Sequence, residues 1–85
     1  MKGEVLKMIT LSLKDSRKIR MLIAMDGNDL KGFSEQADIS YSYFISILSG
    51  KYNPSVRTAN KIASTLGEEM TDLFDIESSD KEKVT

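Results

Sequence analysis

The sequence predicts an all-α domain built from five short helices. Apolar residues recur at helical spacing in several segments, and most of these segments are bounded by Ser, Asp or Gly, the residue types that favour helix ends. A length of 85 residues and an apolar content of 40% suit one small domain with a single core. Together, these observations predict short helices packed around one apolar centre.

The first helix is expected over residues 13–26. Ser12 and Asp15 have the spacing of a capping box, and the helix should stop at the sequence DGN of residues 26–28. Its apolar stripe comprises Ile19, Leu22 and Ile23. The spacing of this stripe indicates one buried face.

A short second helix should follow, capped by Asp29 and running through Ala37. Gly32 weakens this helix, because glycine has a low helix propensity. Asp38 then lies in a tight turn, since Asp tolerates the left-handed backbone conformation better than most residues. The chain is therefore expected to turn sharply before residue 39.

The third segment, ISYSYFISILSGKYNPS at residues 39–55, gives conflicting local signals. Its β-branched and aromatic residues favour a strand, and residues 40–43 alternate polar and aromatic side chains. Against this, Ser40 can cap a helix, and an apolar set recurs at helical spacing, namely Phe44, Ile47 and Leu48. Residue patterns alone leave helix and strand open here.

The fourth helix gives the clearest helical pattern. Gly50 ends the third segment, Asn53-Pro54 marks a loop, and Ser55 caps the helix. Apolar residues recur along it until Gly67, namely Val56, Ala59, Ile62, Ala63 and Leu66. A short fifth helix then carries Met70, Leu73 and Phe74.

The chain divides into an N-terminal arm at residues 1–12, a helical domain at residues 13–76 and a flexible acidic tail at residues 77–85. Alternation in residues 9–13 allows a short strand or an extended arm. The polar composition after Ile76 indicates that the tail is dispensable for the fold.

Composition excludes several functions. The chain has no Cys and no His, so it lacks a thiol nucleophile, an imidazole base and the usual zinc ligands. We therefore expect neither an enzyme nor a bound cofactor or metal. The longest apolar run, residues 21–25, is far too short to span a membrane, and a cytoplasmic protein is expected.

Charge is distributed unevenly along the chain. Residues 1–67 carry 10 Lys and Arg against 6 Asp and Glu, whereas residues 68–85 carry 2 against 7. The basic body suits a polyanionic partner such as nucleic acid, although mixed solvated faces would give a similar balance.

Three motifs resemble the lambda-repressor-like family of phage repressors, Cro proteins and Xre-type regulators. They are ISYSYFISILSGKYNPS, ANKIASTLG and MTDLF, within an ungapped run over residues 18–74. The resemblance implies a compact five-helix domain with a helix-turn-helix unit. It also implies that residues 41–49 form the recognition helix, which enters the DNA major groove.

The resemblance further implies which residues contact DNA. The base-contacting positions match Tyr41, Ser42, Ile45 and Ser46, and the phosphate-contacting positions match Ser40, Ser49, Lys51, Asn53 and Arg57. For the serines, helix capping and solvation are the structural alternative, and for Lys51 and Arg57 the alternative is a solvated surface. The family's Arg–Glu pair is replaced by Ile23 and Leu48, which we expect in the core, and Leu30 replaces a phosphate-binding Gln.

Two functions remain open. The first is a small DNA-binding transcriptional regulator that acts on a double-stranded operator as a homodimer, with helix 1 and helix 5 as candidate dimer surfaces. The second is a protein-binding module, an antirepressor or antitoxin that binds another regulator or a toxin through apolar residues. Met21 and Met25 are apolar residues of helix 1 that lie outside its core stripe. Either a partner protein or the N-terminal segment could cover these two side chains.

Overall fold

The computed structural model describes the backbone of residues 5–82 and the side chains of residues 9–77. Two strands and five helices follow in the order β1 (Val5–Leu13), α1 (Ser16–Met25), α2 (Leu30–Gln36), α3 (Tyr41–Leu48), α4 (Val56–Leu66), α5 (Met70–Leu73) and β2 (Phe74–Glu82). No helix in this part of the chain has the length and apolar character needed to cross a bilayer.

The prediction of an all-α domain is wrong, because β1 and β2 form a two-stranded antiparallel sheet. Their register runs from the pair Val5–Glu82 to the pair Leu13–Phe74. The core anchors this pairing, since Leu11 on β1 and Phe74 on β2 are both buried. Burial of Phe74 brings the chain back alongside β1, whose alternating apolar residues suit a strand.

Both chain ends differ from the expected arm and tail. The short strand expected over residues 9–13 is present and extends back to Val5, while residues 1–4 lie outside the described chain. Residues 77–82 belong to β2 instead of a flexible tail, and residues 83–85 lie outside the described chain. Pairing with β1 gives this polar segment a structure that its own composition does not favour.

Helix α1 starts later than expected because residue 13 already belongs to β1. Asp15, not Ser12, is its N-cap, and the Asp15 carboxylate accepts a hydrogen bond from the Arg17 N–H at 3.0 Å. The other expected caps are confirmed: a side-chain oxygen of each residue accepts an N–H within the first turn. These caps are Asp29 for α2, Ser40 for α3 and Ser55 for α4.

The core lies where the helices meet the inner end of the sheet. Phe33 of α2 and Phe44 of α3 pack with ring centroids 5.2 Å apart. Ile23 and Leu48 are both buried, which confirms that these two positions belong to the core. Val56 was expected on the apolar stripe of α4, but its side chain is 50% exposed at the start of the helix. The prediction is wrong for this residue.

Candidate functional site

Helix α3 has one buried face and one outward face. Phe44, Ile47 and Leu48 point into the core. On the opposite side Tyr41 and Ser42 are exposed, whereas Ile45 and Ser46 are half-buried. The structure therefore brings the four expected base-contacting residues onto one helix, but gives them unequal access to a partner.

A tight turn fixes α3 against α2. Asp38 has a positive φ of 62°, as expected for this position. The Ile39 N–H donates to the carbonyl of buried Ser34 at 2.9 Å, which closes the turn. Lys61 on α4 donates from Nζ to the Asp38 carbonyl at 3.1 Å. This lysine ties α4 to the α2–α3 turn, a role that the sequence did not reveal because it depends on a tertiary contact.

The end of α3 is closed by a cluster of hydrogen bonds on the Ser46 carbonyl. The Lys51 and Tyr52 N–H groups donate to it at 2.9 and 3.3 Å. The Ser49 hydroxyl also donates to it, at 3.1 Å. Gly50 makes this closure possible with a φ of 82°. As a result, Lys51 is held directly beyond the end of α3.

The two serines at the ends of α3 differ in what they can offer a phosphate. The Ser40 hydroxyl oxygen accepts the Tyr43 N–H at 3.2 Å, which leaves its own proton free to donate. The Ser49 proton is already donated to the Ser46 carbonyl. Since phosphate oxygens only accept hydrogen bonds, Ser40 fits a phosphate contact and Ser49 does not in this arrangement.

Positive charge flanks α3 on its C-terminal side. Lys51, Asn53 and Arg57 are exposed, and α3 itself carries no charged side chain. Tyr52, between Lys51 and Asn53, is 57% exposed and was not among the expected contacts. Its only sequence signal is an aromatic residue in a polar loop. The loop and the first turn of α4 therefore supply the cations beside a neutral helix.

The start of α2 offers no comparable site. The Asp29 carboxylate accepts the Gly32 N–H at 2.7 Å, and the Asn28 side-chain oxygen accepts the Asp29 N–H at 3.0 Å. Gly32 makes room for this cap, because a Cβ there would collide with the Asn28 side chain. An anion approaching this end would meet the Asp29 carboxylate.

A groove of about 370 Å³ lies between the start of α1 and the end of α3. None of its lining residues carries a carboxylate, ammonium or guanidinium group; they are Ser12, Leu13, Ser16, Ile47, Leu48, Ser49, Gly50, Tyr52 and Asn53. The groove therefore offers neither a charged acid–base pair nor a cation for an anionic ligand.

Met21 and Met25 remain open to solvent on α1, at 60% and 73% exposure. The N-terminal segment does not cover them in the described structure, because β1 pairs with β2 instead. The prediction that Phe74 lies on the fifth helix is wrong, because it is the first residue of β2. Both Phe74 and Leu73, two of the candidate dimer residues, are buried in the core. The helix 5 surface is thereby reduced to half-buried Met70 and its polar neighbours.

Comparison of the chain with protein-family models, curated proteins and solved structures finds no match. The resemblance to lambda-repressor-like regulators thus rests on the sequence motifs. Function is argued below from the residues of α3 and its surroundings.

Proposed function

We propose that the protein is a small, cytoplasmic, sequence-specific DNA-binding transcriptional regulator of the Cro or repressor kind. In this proposal α3 enters the major groove of a double-stranded operator. The observation that carries it is the outward face of α3, where Tyr41 and Ser42 are exposed, together with the exposed cations Lys51 and Arg57 in the loop and helix that follow α3.

The two groups of residues have different tasks in this proposal. Hydroxyls of Tyr41, Ser42 and Ser46 each make single hydrogen bonds to base edges, and Ile45 lies against thymine methyl groups. Ser40, Lys51, Asn53 and Arg57 hold the phosphate backbone and set the register of the helix. Single hydroxyl contacts discriminate less sharply than bidentate Arg or Asn contacts, so a modest preference among sequences is expected.

The salt dependence of DNA affinity tests this proposal. Lys51→Ala and Arg57→Ala should weaken binding to all sequences alike and lower the slope of log affinity against log salt by about 0.9 each, because each removes one phosphate contact. Ser46→Ala should instead relax the preference at one base pair. Arg20→Ala removes an exposed arginine from α1, which carries none of the proposed contacts, and serves as the matched control for Arg57.

A protein-binding module is the second candidate, favoured by the absence of charge on α3 and by the exposed apolar side chains of Tyr41, Met21 and Met25. Its partner would be another regulator or a toxin.

If the protein binds such a partner, Tyr41→Ala and Ile45→Ala should abolish the complex, since a desolvated side chain at the centre of an interface can contribute roughly 2 kcal/mol or more to binding. Circular dichroism of all variants excludes unfolding. Unchanged DNA affinity in folded Lys51→Ala and Arg57→Ala variants would favour this second function.

A further inference from the structure

Four helices of this protein end in the same kind of backbone closure. After each of α1, α2, α3 and α4, an N–H donates to the carbonyl five residues earlier, at 2.9–3.1 Å. Each closure includes a residue with positive φ; these residues are Gly27, Asp38, Gly50 and Gly67. Glycine adopts this conformation without strain, whereas other residues do not. The closure between α2 and α3 is thus the one of the four that bears backbone strain.

A side chain from α4 supports this strained closure. Lys61 donates from Nζ to the Asp38 carbonyl at 3.1 Å, and Nζ lies 3.6 Å from the Asp38 carboxylate. Among the described residues, no other side chain donates to a backbone carbonyl of a different element. The Asp38 side chain is 97% exposed, and exposed ion pairs contribute little to stability. Lys61 therefore holds the turn mainly through its backbone carbonyl.

This hydrogen bond lies at the start of α3. Ser40 caps α3 two residues after Asp38, and the exposed residues Tyr41 and Ser42 follow directly. A hydroxyl forms a good hydrogen bond with another oxygen only over a narrow range of distances, about 2.5–3.0 Å. A small displacement of the turn would therefore break the contacts proposed between these hydroxyls and base edges.

Helix α4 connects this turn to a proposed phosphate contact. Arg57 and Lys61 are four residues apart on α4, so they lie on one face of the helix. Arg57 is exposed in the first turn of α4, while Lys61 is half-buried and reaches the Asp38 carbonyl. One helix thus joins the residue that would hold the DNA backbone to the start of the helix that would read the bases.

We propose that Lys61 is a positioning residue for sequence recognition, a role that rests on the proposed function of α3. Its hydrogen bond to the Asp38 carbonyl fixes the start of α3 relative to α4. The bond thereby sets how well the Tyr41 and Ser42 hydroxyls reach base edges, although Lys61 itself contacts no base.

A direct phosphate contact of the Lys61 ammonium group is the competing explanation, and the two differ in what they change. Loss of a phosphate contact weakens binding to all sequences alike and lowers the slope of log affinity against log salt by about 0.9. Loss of a positioning contact lowers the preference among sequences and leaves that slope unchanged.

The test begins with selection of duplexes by the wild type from a library with randomised central base pairs. The measured quantity is the ratio of its affinities for the selected duplex and for random-sequence duplex. Lys61→Met removes the donor from a side chain of similar length, and the ratio should fall about tenfold, as for the loss of one hydrogen bond. Lys61→Arg keeps a donor and should restore most of the ratio. Partial unfolding weakens binding to both duplexes alike, so it cancels in the ratio.

Three control variants separate position from charge. Asp38→Asn removes the ion pair but keeps the carbonyl, and Asn tolerates a positive φ, so the ratio should not change. Arg57→Ala should lower the salt slope and keep the ratio. Lys18→Met removes an exposed ammonium group from α1 and should change neither quantity. An unchanged ratio in Lys61→Met, or a salt slope lowered as in Arg57→Ala, overturns the proposal.

Hydrogen exchange tests the same contact without DNA. The Ile39 N–H closes the α2–α3 turn by donating to Ser34, and the Asn28 N–H closes α1 in the same way by donating to Ile23. In Lys61→Met, the Ile39 amide should exchange about tenfold faster than in the wild type, with the Asn28 amide unchanged. Equal Ile39 exchange in the two proteins overturns the positioning role. A wild type that selects no sequence, with faster Ile39 exchange in the variant, overturns the proposed function and supports the hold of Lys61 on the start of α3.

Discussion

At the scale of single residues, Asp38 decides how α3 is presented. Among the described residues it is the one non-glycine position with a positive φ, at 62°. Left-handed backbone places a Cβ too close to the following carbonyl, and this costs roughly 1–2 kcal/mol for ordinary L-residues. Asp38 bears part of that cost while its carbonyl accepts the Lys61 hydrogen bond. The turn between α2 and α3 is thus maintained by the surrounding contacts.

Asp38→Gly should be more stable than Asp38→Ala by about 1 kcal/mol, because only glycine adopts this φ without strain. Urea denaturation followed by circular dichroism measures the difference. The control pair is Glu35→Gly and Glu35→Ala, at an exposed position inside α2. There the order should reverse, with alanine more stable by about 1 kcal/mol. Alanine giving the more stable protein at both positions would show that Asp38 is not strained.

Exposure of individual site residues could be predicted only in part. Tyr41, Ser42, Lys51 and Arg57 are exposed on and around α3, where helical periodicity and the loop signal placed them. Ile45 packs partly against the core, and sequence spacing does not reveal how much of such a side chain remains accessible. Lys61 was missed, because its contact with Asp38 joins residues that are far apart in sequence.

At the scale of elements, the sequence predicted helices well and the second strand not at all. Residues 41–48 are helical although their composition favours a strand, because the helix buries Phe44, Ile47 and Leu48 together. β2 is the opposite case. Its sequence has almost no strand signal, and it becomes a strand through its partner at the other end of the chain. Local periodicity cannot detect a pairing that depends on such distant residues.

Deleting residues 77–85 should leave the helical domain folded. The core residues of the inner sheet, Leu11 and Phe74, remain in this variant. The circular dichroism signal of the helices should therefore be retained, whereas the Thr10 amide, which pairs with Glu77 in the full chain, should exchange rapidly with solvent. Hydrogen exchange monitored by NMR makes this measurement, with the Phe44 amide of α3 as the internal control. Loss of protection at both amides would mean that β2 supports the whole domain.

At the scale of the whole molecule, the sheet gives the chain an elongated outline. The principal extents are 54 × 22 × 19 Å, and the Cα radius of gyration is 15.2 Å. A compact domain of this length would have a radius of gyration of about 12 Å. The difference arises because strands of this length extend beyond the helices that anchor their inner ends.

Small-angle X-ray scattering of the monomeric species should give a radius of gyration well above the compact value. The deletion of residues 77–85 is the comparison, and its radius should move toward about 12 Å, since β1 then has no partner over its outer half. Equal radii for the full chain and the deletion variant would indicate that the sheet does not project in solution.

The pairing of β1 with β2 also determines when each part of the fold can form during synthesis of the chain. Helices α1 to α5 form from local contacts, which develop early and quickly, whereas the sheet joins the first and last described segments and requires closure of the loop between them. As a ribosome makes the chain, β1 emerges first and stays unpaired until β2 has been translated. During that interval its nearly uncharged sequence is the segment most open to aggregation, so chaperone binding to the nascent chain should concentrate there.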